Sequence, residues 1–147
     1  MLTFADFQPG QSFALGRRSL SAAEIKAFAA DYDPQPFHTD ETAAAASAFE
    51  GLCASGWQTA GVFMRLFVDG LLHRTASMGS PGVDALRWLA PVRPDQDLEG
   101  RATVEAVKPS RSRPDRGFVT FRCELLDAAT GTVVFTMTAP LMIGTGG

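Results

Sequence analysis

The spacing of apolar positions in this 147-residue chain is helical in its first half and alternating in its second. Ile25, Phe28 and Ala29 form a stripe at helical spacing behind Ser21-Ala22-Ala23-Glu24. A serine three residues ahead of a glutamate can satisfy two orphan N–H groups at a helix start, so a short amphipathic helix is predicted over 22–31. An extended lead-in over 1–11, closed by a Pro9-Gly10 turn, and a strand from Ser12 to Leu20 precede it. Pro34 ends the helix, because the residue before a proline is pushed out of the helical region. Pro36 is then expected to hold the next two residues extended, making Asp33–His38 a stiff loop. Asp40 can cap a second short helix through Ala44 and Ala45, which Phe49-Glu50-Gly51 breaks.

Trp57 to Leu72 is the most hydrophobic helix candidate. Trp57, Ala60, Gly61, Met64, Phe67, Val68 and Leu71 share one broad face, and Val62, Phe63 and Leu66 extend the apolar cover around it. Arg65 and Asp69 interrupt it at the spacing that lets them pair. A helix apolar nearly all round is normally enclosed by other elements. Beyond the Gly79–Gly82 turn cluster, Val83–Leu89 reads as a strand, the turn at Pro91–Asp95 follows, and Leu98–Val107 reads as another. A basic loop over 108–117 leads to a clean alternation of Val119, Phe121, Cys123 and Leu125 against Thr120, Arg122 and Glu124. Asp127 to Gly131 is a hairpin turn, and Val133, Phe135, Met137 and Ala139 alternate in a last strand. Consecutive strands joined by turns predict an antiparallel sheet. With one enclosed helix, the class is α+β, a single domain over 1–147 whose sheet wraps the helix.

Composition narrows the function classes. The chain is 46% hydrophobic and 20% charged, as in ordinary globular proteins, and its formal net charge of −3 argues against a general nucleic-acid binder. Cys53 and Cys123 lie in apolar surroundings without metal-ligand spacing, and read as small buried hydrophobes in a reducing compartment. The N-terminus lacks the basic start and apolar run of a signal peptide, and no stretch approaches a membrane span. A cytoplasmic chain that uses neither membrane nor nucleic acid is expected. The candidate chemistry gathers in one segment, Asp31 to Trp57. Asp33 and His38 are an acid and an imidazole close together on the Pro-stiffened loop. Spacing to His38 favours Asp33 over Asp31, and the other histidine, His73, lies far downstream.

These residues resemble the MaoC-like acyl dehydratase family, which includes the (R)-specific enoyl-CoA hydratases. The family motif runs D-x-N-P-x-H, and Asp33-Pro34-Gln35-Pro36-Phe37-His38 supplies its acid, its proline and its histidine. Phe49-Glu50, a Gly56 that opens the core helix, and the turn from Pro91 to Leu98 extend the likeness over most of the chain. Two departures stand out: Gln35 where the motif has Asn, and Ser55 where many hydratases have His. The resemblance implies the hotdog fold, a curved antiparallel sheet around a long central helix. It also implies hydration of a trans-2-enoyl-CoA thioester by Asp33, His38 and the backbone N–H of Gly56, in a homodimer. No metal or separate cofactor is called for, coenzyme A being part of the substrate.

An imidazole ordinarily titrates near neutrality and can take a proton from water. Asp33 would orient that water and could carry the proton for the α-carbon. A helix start favours a developing enolate oxygen. Gln35 and Ser55 are candidate substrate contacts beside this pair. Arg111, Arg113 and Arg116 could meet CoA phosphates or simply be solvated. Trp57 and Phe63 fit the core better than an acyl-pocket wall, with Trp57 kept as a candidate contact. Three other readings stay open: a hotdog thioesterase, a Cys53–His38 thiol enzyme, and a non-catalytic acyl-CoA binding module. Against the first, Trp57-Gln58-Thr59-Ala60-Gly61 carries no acid at the helix start.

Overall fold

A computed structural model describes residues 1–147. Its framework is one five-stranded antiparallel sheet. In chain order the strands are β1 (Ser12–Arg18), β2 (Asp84–Trp88), β3 (Leu98–Pro109), β4 (Arg116–Asp127) and β5 (Val133–Gly144), and across the sheet they run β1-β3-β4-β5-β2. Four helices precede β2: α1 (Ala22–Tyr32), α2 (Pro36–Thr39), α3 (Glu41–Ala45) and α4 (Gly56–Gly70). The sheet wraps α4, which is the hotdog architecture.

Local chemistry explains most of the boundaries. Ser21 Oγ accepts from Glu24 N at 3.1 Å while Glu24 Oε1 accepts from Ser21 N at 3.2 Å, so the predicted capping box starts α1. Asp40 Oδ1 accepts from Ala43 N at 2.9 Å and starts α3. In β4 the alternation holds, with Val119, Phe121, Cys123 and Leu125 buried. The last strand runs on past Ala139 through Pro140 to Gly144. Pro140 is tolerated because its carbonyl faces Ser80, whose Oγ donates to it at 2.6 Å. Its missing N–H therefore lies on that turn side and removes nothing from the β4 ladder.

Two expectations change. Pro36 does not extend the chain: it opens α2, since a proline's fixed φ suits a first helical turn, where its N–H is not needed. The inward face of α4 also differs from the one read off its apolar spacing. Gln58, Thr59, Val62, Phe63, Leu66 and Phe67 are buried, whereas Trp57, Met64 and Val68 are exposed. Phe63 packs on Phe67 and Phe135 with ring centroids 5.3 and 5.9 Å apart, and Phe67 meets Phe121 edge-on at 5.3 Å. At the far end of α4 a Cβ on Gly70 would lie 2.7 Å from Leu15 Cα, so only glycine lets the helix press against β1. Arg65 and Asp69 pair at 2.7 Å on the exposed side. Both cysteines are buried and free. No helix is long and apolar enough to cross a membrane.

Candidate active site

The site forms where α1 ends, α2 turns and α4 begins. Asp33 caps α1, its N–H donating to Ala29 O at 2.8 Å. The helical turn of α2 then places His38 inward, only 6% exposed. His38 Nδ1 lies 2.6 Å from the carbonyl oxygen of Cys53. A carbonyl can only accept, so Nδ1 carries the proton and Nε2 is left as the reactive nitrogen. That Nε2 sits 3.4 Å from Asp33 Oδ2.

The Asp33 carboxylate is fixed from both sides. Gln35 Nε2 donates to Oδ1 at 2.7 Å, and Ser55 Oγ donates to Oδ2 at 2.8 Å. Gln35 chiefly, then Ser55 and the nearby imidazole, hold the Asp33 carboxyl below its ordinary value against the opposing effect of burial. Gln35 and Ser55 are thus joined to the carboxylate rather than standing beside it as independent contacts. Ser55 is fully buried and is also the N-cap of α4, accepting from Trp57 N at 3.3 Å.

Gly56 follows immediately. Its carbonyl accepts from the Trp88 indole N–H at 2.7 Å, while its own N–H donates to no group of the chain. Gly56 lines a cleft of about 560 Å³, a volume usual for a small-molecule site. Asp33, His38, Gly56, Trp57 and Trp88 all line it, with Phe37, Phe49 and Val92 among the apolar walls. Trp57 is 59% exposed and stands at the wall of the cleft, not in the core. It packs edge-on against Trp88 of β2, ring centroids 5.1 Å apart.

The basic loop lies elsewhere. Arg116 is paired with Gly144 across β4 and β5, whereas Trp88 is paired with Phe135. From Phe135 to Gly144 the strand rises roughly 30 Å at about 3.3 Å per residue. Arg111, Arg113 and Arg116 therefore sit at the opposite end of the sheet from the cleft of the same chain, because the antiparallel β3–β4 hairpin carries its loop away from it. Arg116 is engaged with Asp115 at 2.9 Å.

Two residues that support the site were not singled out in the sequence, although Arg93 lies in the turn that carries part of the family likeness. Trp88 reaches Gly56 from the edge strand. Arg93, in the turn before β3, donates to the carbonyls of Phe49, Gly51 and Leu52, the segment that delivers the Cys53 carbonyl to His38. Cys53 Sγ is 3.8 Å from His38 Nδ1, but the imidazole proton there faces the Cys53 carbonyl. Burial also pushes the thiol up, against the pull of the Arg93 charge, so it is not set to act as a thiolate. No three His, Cys, Asp or Glu side chains converge as a metal cluster.

Known proteins are similar to this chain in sequence and fold. A family model described as "MaoC like domain" matches residues 6–120. Uncharacterized protein YdeM of Bacillus subtilis (strain 168) is 29% identical over 115 residues, covering 78% of this chain and 80% of its own. Protein MaoC of Klebsiella aerogenes is 32% identical over 116 residues, 77% of this chain, which spans 34% of that longer protein. Among solved structures, a MaoC-like dehydratase from Rhodospirillum rubrum has a TM-score of 0.92 and 43% identity, covering 100% of this chain and 99% of its own. An (R)-hydratase from A. caviae involved in PHA biosynthesis has a TM-score of 0.73 and 26% identity, over 92% of this chain and 96% of its own.

Proposed function

The chain belongs to the MaoC-like dehydratase family, and from that premise we propose that it adds water reversibly across the double bond of a trans-2-enoyl-CoA thioester, giving a 3-hydroxyacyl-CoA. The observation that carries this reading is the placement of the His38 ring, with Nδ1 against the Cys53 carbonyl and Nε2 against Asp33. With Nδ1 committed to the Cys53 carbonyl, Nε2 faces the ionised Asp33 carboxylate in a cleft shared with a free backbone N–H.

The steps follow from these positions. A water held by Asp33 gives one proton to His38 Nε2 as its oxygen bonds to C3. The electron pair of the C2=C3 bond shifts toward the thioester oxygen, which the Gly56 N–H receives as it becomes enolate-like. The imidazolium then returns the proton to C2, so the elements of water are added and His38 is restored. Asp33 stays ionised throughout: Gln35 and Ser55 donate to its charged form, and the imidazolium charge adds to this once His38 has taken the proton, which suits an orienting acceptor better than a proton carrier. The aromatic walls from Phe37, Phe49 and Trp57 would receive the acyl portion.

The working unit is proposed to be a homodimer. β2 is one of the two outer strands of the sheet, flanked in the chain by the exposed Val83 and Leu89, an open template that a second copy would cover. The function is tested by mixing the protein with crotonyl-CoA and following the conjugated thioester absorbance, with the product separated by chromatography. Loss of absorbance with formation of 3-hydroxybutyryl-CoA is expected. Release of free thiol without a hydroxyacyl product would replace this reading with thioester hydrolysis.

A further inference from the structure

We propose that Trp88 is a positioning residue for the Gly56 donor, holding the first peptide of α4 so that its free N–H points into the cleft. The inference rests on the hydratase reading of the site. Trp88 comes from the last position of β2, 32 residues further along the chain, and makes two different contacts with Gly56. Its indole N–H donates to the Gly56 carbonyl at 2.7 Å. Its ring lies flat against the glycine: a Cβ there would sit 2.7 and 2.8 Å from Trp88 Cδ2 and Cζ2, and closer still to Cε2. Real Cβ atoms do not approach that closely, so the ring occupies the space a side chain would need. Glycine at 56 is therefore required by Trp88 and not by φ, since Gly56 is an ordinary first helical residue.

The two contacts act on the same short piece of backbone. A helix start is the part of a helix that frays, because its first N–H groups have no partners within it. Ser55 fixes the residue before Gly56 through its bond to Asp33, and Trp88 fixes the carbonyl after it. The Gly56 N–H lies in the peptide before the α-carbon and the carbonyl bonded by Trp88 in the peptide after it, so the glycine is held on both sides. Trp57 also meets the indole, edge-on with centroids 5.1 Å apart and planes 86° apart. Trp88 is 45% exposed, so a core role does not explain a large side chain at this position. A donor that must meet a developing oxyanion has to be in place before the reaction, and small displacements cost rate more than binding.

Trp88→Phe keeps a ring and removes the N–H. On an enoyl-CoA that the wild type hydrates, kcat is expected to fall about tenfold, the effect of losing roughly one neutral hydrogen bond from a donor's support, with KM changed less than about twofold. A mere packing role would move KM or the melting temperature and leave kcat alone. The second arm is a cycle with Gly56→Ala. In the wild-type background that methyl meets the indole and activity is lost. In Trp88→Ala the space is open, so the Trp88→Ala/Gly56→Ala double variant is expected to be more active than Gly56→Ala alone. Full kcat in Trp88→Phe, or a double variant no better than Gly56→Ala, overturns the proposal. The second arm decides the matter even if Trp88→Phe is unstable. A wild type inactive on every 2-enoyl-CoA would instead overturn the reading of the site itself, and this proposal with it.

Discussion

Ser55→Ala tests how the acid is held, because one hydroxyl serves two elements. Its oxygen accepts from Trp57 N at 3.3 Å as the cap of α4, and its hydrogen goes to Asp33 Oδ2 at 2.8 Å. The cap bond is long, so its loss should cost at the low end of the usual range, about 0.5–1 kcal/mol. The bond to the carboxylate is short, and Ser55 is fully buried. A hydrogen bond to a charged group contributes about 1.5–3 kcal/mol. Together these predict a loss near 3 kcal/mol, which in a domain of this size lowers Tm by about 6–12 °C. A double-mutant cycle with Asp33→Ala separates the parts, since only the carboxylate bond is shared between the two residues. Urea melts of the wild type, both single variants and the double variant at neutral pH should give a coupling energy of about 1.5 kcal/mol or more. Additive losses, within about 0.5 kcal/mol, would refute the claim that Ser55 secures Asp33.

Gln35→Met removes the largest influence that lowers the Asp33 carboxyl. A depressed folded-state value contributes stability above the ordinary carboxylate range and loses it as pH falls through that folded value. The gap in Tm between wild type and Gln35→Met should therefore be full near neutrality and close on acidification; a gap independent of pH would show that Gln35 acts elsewhere. At micromolar concentration, sedimentation should report about twice the 15.7 kDa of one chain, and Val83→Lys beside the β2 edge should shift it toward one chain; a monomeric wild type would remove the dimer proposal.

Much of this was written locally in the chain. The Ser21/Glu24 box, the Asp40 cap and the alternation of β4 involve neighbours within a few residues, so the sequence displays both partners together. Asp33 and His38 were also legible as a pair, although the turn that joins them is a helix and not an extended loop. The inward face of α4 was not legible. Apolar residues cover both sides of that helix, and the polar Gln58 and Thr59 are buried, Gln58 by donating to Glu24 O at 3.1 Å. Spacing alone then has no preferred direction. Trp57 was drawn into the core for the same reason. Trp88 and Arg93 act on backbone more than thirty residues away, through contacts created only when the edge strand and its following turn close over the start of α4. The place of the basic loop was not legible either: the direction of the hairpin sets it at the other end of the sheet from the cleft of the same chain.

The central claim is that Asp33 and His38 act as one acid/base unit on a 2-enoyl thioester. It is tested most directly by measuring kcat for crotonyl-CoA hydration in the wild type, Asp33→Asn, His38→Ala and the double variant, each shown to be folded by its melting curve. The account predicts losses of about a hundredfold or more in each single variant, and a double variant little worse than either, because both residues act on the same water in one step, Asp33 holding it and His38 taking its proton. Undiminished activity in both single variants would contradict it.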